Sequence, residues 1–175
     1  MIMKKIKLIP FKENINKDLY QMYQDIPKEE IGSINELNGM NYEDFKKKCE
    51  ELIKEEKIIN EKINTTTSRF ILYNDKPIGE IGIRTTLNDF WENQGSQIYY
   101  KIRKSERKKG YGNIILELGL LEAKKLGFAK IRINCDDNNI ASKKIIIKNG
   151  GIMDIKNYKT KNGTSSSYII NLNSK

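Results

Sequence analysis

The sequence predicts an α/β fold of the mixed-sheet kind, with helices packed on the sheet. Two observations carry this. Segments of period two and segments of helical period follow one another in the order β-α-α-β-β-β-α-β-α-β-β. Three consecutive strands precede the alternating part, which suits a mixed sheet better than a purely parallel one. Size agrees: 175 residues, 38% hydrophobic and 31% charged, are enough for one domain with a real core. Residues 1–175 carry no linker, repeat or low-complexity tract and are expected to form a single domain.

The elements follow in order. "MKKIKLIP" (Met3 to Pro10) alternates and ends at a proline, which predicts a first strand. Asn14 to Tyr23 predicts a helix with Leu19, Met22 and Tyr23 on one face. After a soft loop, Asn41 can cap a helix that starts at Tyr42 and repeats Phe45, Cys49, Leu52 and Ile53 at helical spacing. "SRFILYNDKPIGEIGIR" reads as a hairpin, Arg69 to Tyr73 and Ile78 to Arg84, around the turn "NDKP". "QIYYKIR" (Gln97 to Arg103) is a further strand with Ile98, Tyr100 and Ile102 on one face. A helix from Tyr111 to Leu126 follows, with Gly127 placed to end it. "AKIRINC" is a strand. Asn139 can cap a helix through "IASKKIIIKN" that Gly150 or Gly151 stops. "GIMDIKNY" and "SSSYIINL" close the chain as an antiparallel pair. The β-α-β crossover through the 111–126 helix would set strands 97–103 and 129–135 parallel if they share a sheet.

Composition removes several classes of function. There is no histidine, so Ser-His-Asp and Cys-His catalysis are excluded, along with the commonest metal ligand. Two cysteines, Cys49 and Cys135, without a CxxC pattern read as free thiols, and no metal site is expected. No apolar run approaches the roughly 20 residues of a membrane span. The charged N-terminus does not resemble a secretory signal, so the protein is expected in the cytoplasm, away from membranes. The formal net charge is +9, which favours anionic partners such as nucleic acid, acidic surfaces or a phosphorylated ligand.

Much of that charge sits in one place. Six of the ten residues from Lys101 to Gly110 are basic, and the run ends in Gly-Tyr-Gly where an apolar helix begins. The first turn of a helix has N–H groups without internal partners and about half a positive charge from the aligned peptide dipoles. Such a turn is an anion site. Gly110 and Gly112 would let the backbone approach an oxygen, and Arg107, Lys108 and Lys109 would add formal charge. The pattern GxxxxGK(S/T) is absent, and GxGxxG fails at Ile115.

"RKKGYG" instead fits Gln/Arg-x-x-Gly-x-Gly/Ala, through Arg107, Gly110 and Gly112, directly after a strand. Downstream, "NIASKKIIIKNGG" places Asn139, a small residue at Ser142, and Lys148-x-Gly150 on the next helix. Together these stretches resemble the GNAT superfamily of acetyltransferases. The likeness covers nearly the whole chain, most specifically Gln97 to Gly151, and is nearest to a bacterial branch of undefined substrate.

That resemblance implies a central, mostly antiparallel sheet of about seven strands, splayed at a parallel pair, with helices on both faces. It implies acetyl-CoA as co-substrate, with Ile102, Arg103 and Lys104 along the pantetheine arm. Arg107, Lys108, Lys109, Gly110, Tyr111, Gly112 and Asn113 would hold the diphosphate, and Asn139 and Ser142 would lie by the far arm. It implies an N-acetyltransferase acting on a primary amine of a small molecule or peptide by direct attack on the thioester, a backbone N–H near Ile102 stabilising the oxyanion. The family often has tyrosine at the position of Ile146 as the acid for the leaving thiolate. With isoleucine there, Tyr100 is the first candidate acid and Glu80, in "IGEIGIR", the candidate base. The plainer accounts are a core or rim aromatic and an exposed strand carboxylate. Phe90 and Trp91 are expected either to line the acceptor pocket or to plug the sheet edge, and Cys135 is expected to pack. A CoA-binding sensor without catalysis and, less favoured, a basic nucleic-acid module are the alternatives. A homodimer through the last two strands is compatible with the pattern.

Overall fold

The structure is a computed structural model that describes residues 6–13, 15–30, 33–55, 67–85, 95–160 and 163–173. Its strands are β1 (Lys7–Pro10), β2 (Glu29–Glu30), β3 (Ser33–Ile34), β4 (Thr67–Asn74), β5 (Lys76–Arg84), β6 (Ile98–Ile102), β7 (Lys130–Asp136), β8 (Ile152–Thr160) and β9 (Gly163–Asn171). Its α-helices among the described residues are α1 (Lys17–Asp25), α2 (Tyr42–Glu55), α3 (Tyr111–Lys125) and α4 (Ile140–Lys148).

The long strands form a four-stranded sheet ordered β1-β4-β5-β6 and a three-stranded sheet ordered β7-β9-β8, every pairing antiparallel. The expected sheet is thus two blocks that part between β6 and β7, the splayed pair joined through α3. The two-residue strands β2 and β3 form a small ladder of their own, which the sequence pattern did not single out.

Local chemistry sets the boundaries. Asn16 caps α1 through its side chain, so the helix begins three residues later than the apolar pattern suggested. Asn41 Oδ1 accepts from Asp44 N at 2.9 Å and caps α2. The β4–β5 turn is tight enough that Asp75 takes φ 63°. Gly127, at φ 92°, ends α3, and Gly150, at φ 90°, ends α4.

Neighbouring residues of β4 point to opposite faces, as a strand requires. Ile71 joins Phe11, Leu19, Met22, Tyr23 and Phe45 in a core under α1 and α2. Leu72 joins Ile81, Ile83, Ile115, Leu116 and Leu120 in a core under α3 and α4. Helices therefore cover both faces of the sheet. Gly119 makes this close: a Cβ there would lie 2.2 Å from Ile81 Cδ1.

Candidate active site

The region of interest is the turn between β6 and α3 together with the edge of β6 beyond which the sheets part. A short 3-10 turn, Lys104–Glu106, leads in from β6. The chain then bends twice into the left-handed region, at Lys108 (φ 60°) and Gly110 (φ 84°), before α3 starts. Among the described residues no hydrogen bond takes the backbone N–H of Lys108, Lys109, Gly110, Tyr111 or Gly112. A consecutive run of such groups at a helix start forms a concave anion site.

The two glycines do different things. Gly110 supplies the positive φ, and a Cβ on it would meet open space. Gly112 faces the other way. A Cβ there would lie 2.7 Å from Ile145 Cδ1, so this glycine lets α4 pack on α3.

Much of the formal charge of the turn is shared with carboxylates. Arg107 grips Glu30 at 2.5 and 2.7 Å, and its Nε donates to Ile102 O at 2.9 Å. Arg103 pairs with Asp25 at 2.9 Å. Lys109 and Lys76 share Glu106 at 2.9 and 2.8 Å. Hydrogen bonds from Lys76 and then Lys109 hold the Glu106 carboxyl below its usual range. Burial raises the Asp25 carboxyl, but hydrogen bonds from Ser105 and Arg103 outweigh that and hold it low. Lys104 and Lys108 are exposed and carry no ion pair among the described residues. Peptide N–H groups and these two lysines, more than the whole basic run, make the turn receptive to an anion.

The edge of β6 is the second part. Arg84 N donates to Gln97 O at 2.9 Å and Arg103 N donates to Ile78 O at 3.0 Å, so Tyr99, Lys101 and Arg103 turn their backbone groups toward β5, while Gln97 gives its carbonyl to β5 and its N–H to Arg132 O on β7. Ile98, Tyr100 and Ile102 turn theirs toward the gap. Ser96 Oγ donates to Ile98 O at 2.7 Å, and Arg107 takes Ile102 O. The N–H groups of Tyr100 and Ile102 and the carbonyl of Tyr100 are left facing the gap. Among the described residues no backbone hydrogen bond joins β6 to β7 past Gln97.

The candidate acid faces α4. Tyr100 Oη lies 2.8 Å from Ser142 Oγ. Burial pushes the phenol up to about 12, so it keeps its proton at neutral pH. Asn139 caps α4 by accepting from Ser142 N at 3.1 Å, which brings Asn139, Ser142 and Tyr100 into one group. Ile146 is fully buried in the core. Cys135 is 4% exposed, with its thiol pushed up chiefly by burial.

Glu80 is not the exposed strand carboxylate that the pattern suggested. It is 4% exposed and lies under α1 and α2, on the opposite face from Tyr100. Tyr99 Oη donates to Glu80 Oε1 at 2.9 Å, and Arg69 Nε stands 3.8 Å from the same oxygen. The Tyr99 ring lies over Gly82, where a Cβ would come within 2.2 Å of it. Arg84 and Lys101 stand 5.5 and 5.8 Å from the ring centroid. The structure therefore does not bring Tyr100 and Glu80 together. They belong to adjacent strands but to different layers.

A model of the acetyltransferase (GNAT) family matches residues 19–150. The chain belongs to the GNAT acetyltransferase family. The match runs from α1 past the end of α4 and includes the turn, the β6 edge and the Asn139 cap. No curated protein sequence matches the chain. Solved structures match it in fold. A spermidine N-acetyltransferase, a SpeG chimera from Vibrio cholerae and hSSAT, is 11% identical at TM-score 0.64, over 97% of this chain and 96% of its own. An acetyltransferase from Salmonella typhimurium that modifies the N-terminal serine of ribosomal protein L7/L12 is 13% identical at TM-score 0.62, over 98% and 97%. The microcin C7 self-immunity acetyltransferase MccE, in complex with acetyl-CoA and AMP, is 16% identical at TM-score 0.65, over 95% and 92%.

Within this GNAT enzyme the residues singled out from the pattern divide by what their side chains do. Lys104 and Lys108 are exposed at the turn, Gly110 supplies its positive φ, and Ile102 packs its side chain on the core over Gly79 while its backbone lies on the open edge. Arg103, Arg107 and Lys109 are engaged in ion pairs, Tyr111 Oη accepts from Asn74 Nδ2 at 3.1 Å, and Asn113 Oδ1 accepts from Asn149 Nδ2 at 3.1 Å. Phe90 and Trp91 lie outside the described residues. Asp25, Glu30, Ser96, Arg69 and Tyr99 were not anticipated. A cluster of acidic residues in a chain of positive net charge was the available signal for Asp25 and Glu30.

Proposed function

We propose that this acetyltransferase moves an acetyl group from acetyl-CoA to a primary amine of a small molecule or a peptide, in a single cytoplasmic domain and without a metal. The reading rests on one observation above others: the free N–H groups of residues 108–112 stand at the end of a strand whose outer edge also lacks a partner. A diphosphate with an extended amide-bearing arm has the chemistry to satisfy both. Two fold relatives are named for amine acceptors, spermidine and an N-terminal serine, and that chemical class is carried over here.

Residues 108–112, with Lys104, Arg107 and Lys108, would hold the diphosphate, while Tyr100 and Ile102 would offer backbone groups to the arm. Bound there, acetyl-CoA supplies an acetyl group already activated as a thioester. The Ile102 N–H would stabilise negative charge on the carbonyl oxygen. Tyr100, protonated at neutral pH and held by Ser142, would give its proton to the leaving sulfur. Glu80 would accept the amine's proton. Asn139 and Ser142 would frame the thiol end. A homodimer through the last two strands is compatible with this reading.

Thermal shift with acetyl-CoA, beside thioester consumption over polyamines, aminoglycosides, amino acids and peptides, tests it. Stabilisation by acetyl-CoA and turnover with one amine class are expected. Gly110→Glu should lose the shift, while Gly110→Asn, which tolerates positive φ, should keep it. Stabilisation without turnover on any amine would leave a CoA-binding protein. No stabilisation would remove the cofactor site.

A further inference from the structure

We infer that Gln97, with Ser96 beside it, is a positioning residue that fixes where the two sheets part, and so where the open edge of β6 begins. Its consequence for cofactor binding rests on the acetyl-CoA reading. Its cause rests on geometry alone.

Gln97 is 8% exposed and joins three strands. Its carbonyl accepts from Arg84 N at 2.9 Å, on β5, and its N–H donates to Arg132 O at 2.9 Å, on β7. Arg132 N then needs an acceptor. In a continuing ladder a backbone carbonyl of the neighbouring strand would supply one. In a parallel register the carbonyl of Gly95 would take Arg132 N and that of Gln97 would take Asn134 N, but among the described residues no backbone bond joins Gly95 to Arg132 and the Gln97 carbonyl is committed to β5. The side chain supplies the acceptor instead: Gln97 Oε1 takes Arg132 N at 2.6 Å. Ser96 repeats the device one residue earlier. Its Oγ accepts from Asn134 N at 3.2 Å and donates to Ile98 O at 2.7 Å.

Two side-chain oxygens thus stand in for strand carbonyls beside Gln97 N to Arg132 O, the last backbone hydrogen bond across the seam among the described residues. Backbone pairing across the seam stops there, because its last donors are satisfied without drawing the strands together. The N–H groups of Tyr100 and Ile102 are consequently left open. A glutamine fits this task because its amide oxygen reaches across the gap. Asparagine would stop one methylene short.

The test uses the full chain and CoA as the probe. Gln97→Met keeps the length of the side chain and removes the acceptor. Gln97→Glu keeps an acceptor oxygen. Two quantities are read: amide exchange at Arg132, and the Kd for CoA by calorimetry. With Met, exchange at Arg132 should accelerate and CoA should bind about tenfold more weakly, the scale of one lost hydrogen bond. With Glu, both should return toward wild type. If Gln97→Met fails to fold, Ser96→Ala carries the same pair of measurements, with Asn134 as the amide read. Unchanged exchange at Arg132 would overturn the strut. Faster exchange with an unchanged Kd would reduce Gln97 to sheet cohesion and overturn its positioning role. If wild-type protein binds no CoA, the acetyl-CoA reading and the cofactor consequence fall together, while the exchange data still judge the strut.

Discussion

Arg107 places both terminal guanidinium nitrogens on the carboxylate of Glu30, at 2.5 and 2.7 Å. The pair links the start of α3 to the segment between α1 and α2, across 77 residues of chain. Its third nitrogen holds Ile102 O, so the guanidinium sits where the β6 edge meets the turn. An arriving diphosphate and Glu30 are then rivals for one cation.

That rivalry gives the first prediction. The pair is about one-third exposed on each side, which places its worth near 0–1 kcal/mol. Glu30→Gln should tighten CoA binding by up to about fivefold. Arg107→Gln should weaken it by about tenfold or more, since charged hydrogen bonds are worth about 1.5–3 kcal/mol. Calorimetric titration of the two variants decides it. Weaker binding by Glu30→Gln would mean that Glu30 braces the turn and does not compete.

Tyr100 gives the second. Its hydroxyl is within hydrogen-bond distance of Ser142, and burial keeps the phenol protonated up to about 12. As the proton donor to the leaving sulfur, it should be needed for turnover and not for binding. Tyr100→Phe is expected to lower kcat by about a hundredfold, within the usual range for a general acid, and to leave the Kd for CoA within about twofold. Ser142→Ala should show the same pattern more weakly. A variant with full kcat would move the acid elsewhere.

The parts of this site that were legible in the sequence are those decided by local chemistry. Asn41 and Asn139 cap helices because a short amide side chain reaches the N–H three residues on. Gly127 ends α3 because it takes positive φ without cost. The basic turn was legible because strand, glycine turn and helix are contiguous. What was not legible depends on partners remote in sequence. Arg103 meets Asp25 across 78 residues, so the charge of the turn could not be netted from its own composition. Glu80 looked exposed because period two tells which residues share a face, not whether a helix covers that face. Gly112 lies in a glycine motif, and only the path of α4 shows that its missing side chain serves Ile145.

Gly112 carries the third prediction. Alanine is ordinarily favoured over glycine in a helix, by up to about 1 kcal/mol in its interior and less in the first turn where Gly112 lies. Here its Cβ would stand 2.7 Å from Ile145 Cδ1, the end of a flexible side chain in the α3–α4 contact. Overpacking of this kind costs about 1–3 kcal/mol. Gly112→Ala should therefore destabilise the fold, measured by urea unfolding. Ile145→Val removes the opposing methyl, and the double variant should be more stable than the sum of the single changes allows. Additive effects would show that α4 shifts freely and that the glycine is not needed for packing.

The last prediction concerns pH. Burial raises the phenols of Tyr23, Tyr99 and Tyr100 and takes the Cys49 thiol up to about 12. The unfolded chain releases these protons near about pH 8.5–10. Above that range it binds fewer protons than the folded state, so stability falls as pH rises. The contribution is complete below the unfolded values and is lost on passing through the folded ones. On the acid side, hydrogen bonds from Lys143 and Ser166 hold Asp137 down to about 2. There the unfolded chain takes up protons first, near about pH 4, and stability falls as pH drops toward about 2. With no histidine in the chain and none of these shifted groups titrating between, Tm should be level from about pH 5 to 8 and decline on both sides. Tyr100→Phe should flatten the alkaline decline and leave the acid one unchanged, whereas Asp137→Asn should do the reverse. Melting curves across that range would contradict the assignment if Tyr100→Phe altered only the acid limb, because a phenol has no charge to lose there.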